Sequence, residues 1–207
     1  MRSILVVNPK GGCGKTTIAT NLATYYAVWE MPVALVDLDP QQSSMDWVRT
    51  RPDTEAHIQG FNGLKGEIYL APGTERAIYD CPARTDTAKV ARLIKLVDVV
   101  LIPVMPSAID MRVAASFIAD IVSKVKKNNA DAALGVIANR VQKNYHSYSA
   151  LIDFLGKLDI KLVGALRNSQ NYVKAADTGI GIFEMGMSDV KNDMKEWEPI
   201  VNWVEGK

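Results

Sequence analysis

Cysteine is almost missing from this sequence: Cys13 and Cys81 are the only two in 207 residues, with no CxxC pair and no Cys/His cluster. That pattern supports neither a disulfide framework nor a structural zinc site. Histidine is as scarce, and neither His57 nor His146 stands beside a recognisable motif, so nothing points to histidine acid–base chemistry. No apolar run approaches the ~18 residues of a membrane span. The run Ile4-Leu5-Val6-Val7, preceded only by Arg2 and Ser3 after the initiator, is too short for a signal peptide, and a cytoplasmic setting is expected. Repeats, low-complexity tracts and linker-like segments are also lacking. What remains is an ordinary globular composition, 48% hydrophobic and 23% charged. A chain of this length buries roughly 70% of its unfolded surface without help from metal or disulfide, and a single domain over residues 1–207 is expected.

Net charge is only +1, but it is unevenly spread. Between Asn139 and Lys174 six basic residues (Arg140, Lys143, Lys157, Lys161, Arg167 and Lys174) face Asp153 and Asp159, a net of +4. From Ala175 to Lys207 seven acids face three lysines, a net of −4. The first stretch suits a polyanion and the second an acidic flank; two ordinary solvated surfaces would read the same way.

Short apolar, β-branched runs alternate with longer helical patterns. Strands are predicted at Ile4–Asn8, Val33–Asp37, Ala77–Asp80, Val99–Val104, Leu134–Asn139 and Lys161–Leu166, with weaker ones near Ile58–Phe61 and Ile68–Leu70. Helices are predicted at Lys15–Trp29, Ser43–Arg49, Thr85–Leu96, Ala108–Lys127, Tyr145–Leu158, Ser169–Asp177 and Asp189–Val204, and Thr50–Gly66 as a surface excursion. Several strands are apolar at consecutive positions, as strands covered on both faces are. The alternation specifies an α/β fold, a mostly parallel twisted sheet with helices on both faces.

The first strand runs into Lys10-Gly11-Gly12-Cys13-Gly14-Lys15-Thr16 and then a helix. Gly14-Lys15-Thr16 fits the end of the phosphate-binding template GxxxxGK[ST], but Pro9 stands where its first glycine belongs. The physics survives that change. The glycines allow successive N–H groups to curl into an anion nest, and the helix aims its positive end at the same anion. Lys15 is placed to reach the β- and γ-phosphates and Thr16 to ligate Mg²⁺. Lys10, at the head of the loop, does not easily turn back onto phosphates that its own loop wraps. It suits a nucleotide in a facing subunit, as an arginine finger does in trans; a solvated loop lysine is the plainer alternative. Asp37 and Asp39 end the next strand and are expected to project to opposite sides of the chain, and Asp80 ends a further apolar strand. In open α/β sheets ligands bind beyond these carboxyl ends.

Lys10–Thr17 resembles the deviant Walker A motif of the ParA/MinD family of partition and positioning ATPases. Val36-Asp37-Leu38-Asp39-Pro40-Gln41 resembles that family's second motif, Ile78-Tyr79-Asp80-Cys81-Pro82-Ala83 its Walker B segment, Ile102-Pro103-Val104 with Pro106 a later strand end, and Asn139-Arg140 its adenine-side strand end. Ala83 departs from the second proline frequent there. The resemblance implies a three-layer P-loop NTPase fold that binds ATP and Mg²⁺. Gly11, Gly12, Cys13, Gly14, Lys15, Thr16, Thr17, Asn139 and Arg140 would bind the nucleotide. Thr16, Asp37 and Asp80 would lie on the metal side, and Lys10, Lys15 and Asp39 would carry catalysis, Asp39 by positioning the attacking water. Cys81 is read as a packing residue.

Three outputs fit such a site. One is an ATP-driven homodimer that binds duplex DNA without sequence preference through Lys143, Arg167 and Lys174. A ParB-like or cargo-adaptor protein would stimulate its hydrolysis, placing it on nucleoid DNA to move a plasmid or a cargo such as carboxysomes. Another is a MinD-like membrane ATPase, disfavoured because Asp189–Lys207 is net acidic, with Trp197 and Trp203 expected to face the core. The last is an ATP-dependent metabolic enzyme of similar fold, a carboxylate–amine ligase or small-molecule kinase.

Overall fold

The computed structural model describes residues 1–65, 68–127, 131–142, 145–158 and 160–207. β1 (Arg2–Val6) leads through the glycine-rich loop into α1 (Lys15–Val28). Then come β2 (Val33–Asp37), α2 (Ser43–Thr50), β3 (Gln59–Asn62), β4 (Arg76–Asp80) and α3 (Thr87–Ile94). β5 (Val99–Val104), α4 (Ala108–Lys127), β6 (Ala133–Val141), α5 (His146–Leu155) and β7 (Lys161–Arg167) follow. The chain ends with α6 (Asn171–Asp177), a 3₁₀ turn at Ile182–Glu184, and α7 (Met187–Val204). The strands form one seven-stranded sheet in the order β3-β2-β4-β1-β5-β6-β7, every pair parallel.

Consecutive apolar residues in the strands supply two cores at once, because alternate side chains leave opposite faces. Ile4, Val6, Leu35, Ile78 and Leu101 pack against Ile18 and Leu22 of α1 and Trp197 and Ile200 of α7. Their neighbours Leu5, Val7, Val36, Val100 and Ile102 pack against α3 and α4 through Val90, Ile94, Phe117, Ile118 and Ile121. Each such aliphatic side chain contributes roughly 1.5–3 kcal/mol by leaving water. The expected layered α/β architecture is therefore observed, and Trp197 is fully buried, with Trp203 packed against the same core.

Two expectations need correction. Ile68–Leu70 forms no strand: the slot beside β2 is taken by β3, and Ile68 and Leu70 instead rest against the second core. The stretch after Thr50 is more than a surface excursion: the weaker strand expected near Ile58–Phe61 is present as β3, the sheet edge. It is also anchored by Arg51, whose guanidinium meets Glu184 in a bidentate pair that is almost wholly buried. Alternation along the sequence carries no trace of that partner, which lies 133 residues away.

The carboxyl ends of the central strands finish level. Val6 of β1 lies opposite Asp80 of β4, and Asp80 opposite Asp37 of β2. At the other end of the sheet, Glu205 closes the chain onto the core. It accepts from the Tyr26 hydroxyl at 2.8 Å and from Arg76 Nε and Nη2 at 3.1 and 2.7 Å. Burial opposes its charge, but the bonds from Arg76 and Tyr26 outweigh burial and hold its carboxyl below the ordinary glutamate range. A carboxylate with a lowered folded-state pKa stabilises above its unfolded pKa, near 4.3, and that contribution disappears as pH falls through the lowered value. Glu205→Gln should therefore lower unfolding free energy by about 1–3 kcal/mol at pH 7. In denaturant titrations the gap between variant and parent should close below pH ~4; a gap independent of pH would refute the charged clamp.

Candidate functional site

The loop after β1 is held from both sides. Asn8 Nδ2 donates to the Pro103 carbonyl at 2.6 Å, and Asn8 Oδ1 accepts the Lys10 N–H at 2.8 Å. From β6, Asn139 Nδ2 donates to the Cys13 carbonyl at 2.7 Å. Gly14 stands at φ 94°, and a Cβ there would lie 2.2 Å from Asn139 Nδ2, so both conformation and contact demand glycine. α1 begins with no side-chain cap and no acid in its first turn. Its leading N–H groups and the positive end of its dipole are therefore left for an outside anion.

Lys15 carries the clearest electrostatic signal. Its side chain is 7% exposed, and Nζ reaches only the Lys10 carbonyl at 3.0 Å and Cys13 Sγ at 3.9 Å. Among the described residues no carboxylate pairs with it. A buried ammonium without a counter-ion is costly, and a phosphate in the loop would supply the missing charge. Burial also pushes the Cys13 thiol up, against the opposing pull of Lys15.

Asp80 is the complementary case. Oδ2 accepts from Thr16 Oγ1 at 2.7 Å and from Ser44 Oγ, whereas Oδ1 is buried with no partner. Burial pushes its carboxyl up to about 6, against the hydrogen bonds from Ser44 and Thr16. A bare carboxylate oxygen beside a threonine hydroxyl is an all-oxygen donor set that suits Mg²⁺. That ion keeps several waters and binds one or two carboxylates together with substrate phosphates. Among the described residues no three His, Cys, Asp or Glu side chains cluster as a protein-only metal cage.

Asp37 and Asp39 do part, but not for the reason expected. Residues two apart in an extended strand share a face; here the chain turns after β2. Asp37 is fully buried, its oxygens accepting the Asp39 N–H at 2.8 Å and the Met45 N–H at 3.0 Å. It braces the turn and the start of α2. Burial raises its pKa, opposed by those backbone bonds. Asp39 lines the cleft, with Oδ1 held by the Gln41 N–H at 2.9 Å.

The cleft itself measures about 730 Å³ and is lined by Gly11, Gly12, Gly14, Lys15, Thr16, Thr17, Asp39, Ser43, Arg84 and Arg140 among others. Arg140 also lines an adjoining hollow of about 400 Å³ with Asn139 and the β7–α6 segment. The half-buried Lys10 does not line the cleft, and its ammonium has no partner among the described residues. Cys81 is buried and its thiol is pushed up to about 11, chiefly by burial, as befits a packing residue.

Sequence reasoning missed Ser44 and Arg84. Ser44 follows a polar run after β2 and has no motif to mark it. Arg84 stands just after the Walker B-like segment, but its cleft position depends on a backbone turn that residue type does not reveal. The basic residues expected to meet DNA are dispersed in their surroundings. Arg167 makes a bidentate pair with the fully buried Asp193 at 2.6 and 2.9 Å, Lys174 is exposed on α6, and Lys143 lies outside the described residues.

Residues 4–182 match the CbiA family model, the CobQ/CobB/MinD/ParA nucleotide binding domain. Maintenance of carboxysome distribution protein A of Halothiobacillus neapolitanus is 28% identical over 194 residues, 89% of this chain and 88% of the relative. A plasmid partition protein of Borrelia burgdorferi solved with AMPPNP superposes with a TM-score of 0.73 at 16% identity, covering 97% of this chain and 98% of that one. The MinC:MinD complex of Aquifex aeolicus gives 0.76 at 16% identity, covering 100% and 96%. The chain belongs to the CobQ/CobB/MinD/ParA family of nucleotide-binding domains and is, within it, a ParA/MinD-type ATPase.

Proposed function

We propose that this protein is a nucleotide-switched positioning ATPase. With ATP and Mg²⁺ in the cleft, two copies associate face to face, and the dimer holds duplex DNA without sequence preference. A ParB-like or cargo-adaptor partner then stimulates hydrolysis and so releases it. The observation that carries this reading is Lys10. Its backbone is fixed by Asn8, yet its ammonium has no partner among the described residues and does not line its own cleft. A cation held at the rim in this way suits a phosphate bound by a facing subunit.

Within one cleft the hydrogen bonds support a division of labour. Lys15 and the N–H groups of Gly11–Thr17 hold the phosphates, Asn139 braces their loop, and Arg140 closes the base side. Thr16 and Asp80 would hold Mg²⁺, with Asp37 behind them, and the ion would supply charge neutralisation at the terminal phosphates. Asp39 has one oxygen tied to Gln41, which leaves the other to orient a water. The relatives' names support a positioning role: one is a carboxysome distribution protein and another a plasmid partition protein. The cargo is therefore a plasmid or a protein assembly of that kind. A membrane anchor is not favoured, since α7 is net acidic, and among the described residues no helix is long and apolar enough to cross a membrane. For DNA, the exposed Lys174 together with Lys143 is the preferred contact, with Arg167 adding the edge of its guanidinium not turned to Asp193.

Lys10→Ala should keep nucleotide binding within about threefold of the parent while abolishing ATP-dependent dimers in sedimentation velocity; dimers that persist would remove the trans role. Asp39→Ala should hydrolyse ATP at least ~100-fold more slowly yet accumulate an ATP-bound dimer on DNA. Normal turnover would give the water to another residue. Binding to arbitrary duplexes should need ATP and weaken steeply with salt, and Lys174→Ala should reduce the slope of log K against log[salt] by about 1. An unchanged slope would move the DNA face elsewhere.

A further inference from the structure

The turn after β4, Pro82-Ala83-Arg84, holds a residue that the assignments above leave unexplained. Arg84 stands at φ 58°, in the left-handed region that residues with a Cβ avoid and that glycine or asparagine ordinarily fills. Such strain persists only where the surroundings impose it, and it gathers at functional sites. The imposing contact is visible: the Arg84 N–H donates to the Pro9 carbonyl at 2.8 Å, which stitches this turn to the head of the phosphate loop. The side chain lines the cleft with Lys15, Thr16 and Asp39. Its guanidinium makes no hydrogen bond or ion pair with any described residue.

Strand order fixes which end of the ligand it meets. β4 lies beside β1 on the flank away from β5 and β6. Arg84 therefore enters from the side of Asp80, Thr16 and Asp39, whereas Arg140 enters from the opposite flank, near the end of β6. The oxygen donors Asp80 and Thr16 mark the metal and terminal-phosphate end. A guanidinium presents a planar fork of donors that matches phosphate oxygens and stays charged at any working pH. We propose that Arg84 is a second cation acting in cis on the terminal phosphate, the contact by which the cleft distinguishes a nucleoside triphosphate from a diphosphate. This rests on the reading of the cleft as an ATP site. It differs from Lys10, whose proposed target is the facing subunit's nucleotide.

The test is calorimetric titration with Mg·AMPPNP and Mg·ADP of the parent, Arg84→Lys and Arg84→Gly, each also carrying Lys10→Ala so that dimer formation is removed from the comparison. Arg84→Gly should weaken AMPPNP roughly tenfold to a hundredfold while changing ADP less than about twofold. Arg84→Lys should fall between parent and Arg84→Gly, because charge is kept and the fork is lost. The nucleotide-free Arg84→Gly chain should melt no lower than the parent, since glycine accepts φ 58° freely; that readout separates a lost contact from a damaged fold. Equal weakening of both nucleotides would make Arg84 a loop-shaping residue and overturn the proposal, as would no weakening of either. A selective loss seen only without Lys10→Ala would assign the contact to a facing subunit and overturn the cis role. If the parent binds neither nucleotide and matches Lys15→Ala, the ATP-site reading itself falls.

Discussion

Every group at the cleft depends on three parallel strands ending level. Val6, Asp80 and Asp37 share one row across β1, β4 and β2. A one-residue slip of β4 would turn Asp80 to the opposite face of the sheet and carry it away from Thr16. The register is held far from the cleft, by alternate side chains locked into two separate cores and by the Arg51–Glu184 and Arg76–Glu205 pairs. The site is accurate because the sheet beneath it has little freedom to slide.

On that row the protein keeps two opposite charges buried and leaves both short of partners. The Lys15 ammonium meets only a carbonyl and a thiol, and the Asp80 carboxylate has one oxygen bare. They do not form an ion pair, although each is nearly inaccessible. Direct pairing would relieve both desolvation penalties and would also close the site. Held apart, they demand a ligand that is negative toward Lys15 and brings a cation to Asp80, and a metal-bound nucleotide phosphate satisfies both. The raised pKa of Asp80, at about 6, is the mark of this unmet demand.

Much of this was legible in the sequence, for identifiable reasons. The phosphate loop announces itself because glycines, lysine and threonine at fixed spacing each answer a local need of the backbone or of the anion. Asp37, Asp39 and Asp80 announce themselves because each ends an apolar run. The features that were not legible depend on distant partners or on backbone turns. β3 is half-buried on an edge, so its residues give only a weak strand signal, near Ile58–Phe61, one residue out of register with the strand itself. Arg51 looks like a surface arginine until Glu184 reaches it. Arg167, read as a free cation for DNA, is bidentate with Asp193, a helix residue 26 positions on. The charge count of that segment was correct, and the count alone does not say which charges are already engaged.

The distribution of backbone strain extends the same logic. Among the described residues four that are not glycine have positive φ: Glu30, Gln42, Arg84 and Arg140. Arg84 and Arg140 line the cleft, and Gln42 lies between its lining residues Gln41 and Ser43. Three of the four therefore lie around the cleft, Arg140 near the end of β6 and the other two in the segments that follow β2 and β4. Relaxing any of them would favour the fold, so their presence reflects what the loops must present. Gln42 starts α2, whose Ser44 reaches Asp80 and whose Met45 N–H reaches Asp37, so these two carboxylates and the helix share one set of hydrogen bonds. Through Thr16 of α1 and Ser44 of α2, both helices at the cleft hydrogen-bond the same carboxylate oxygen of Asp80.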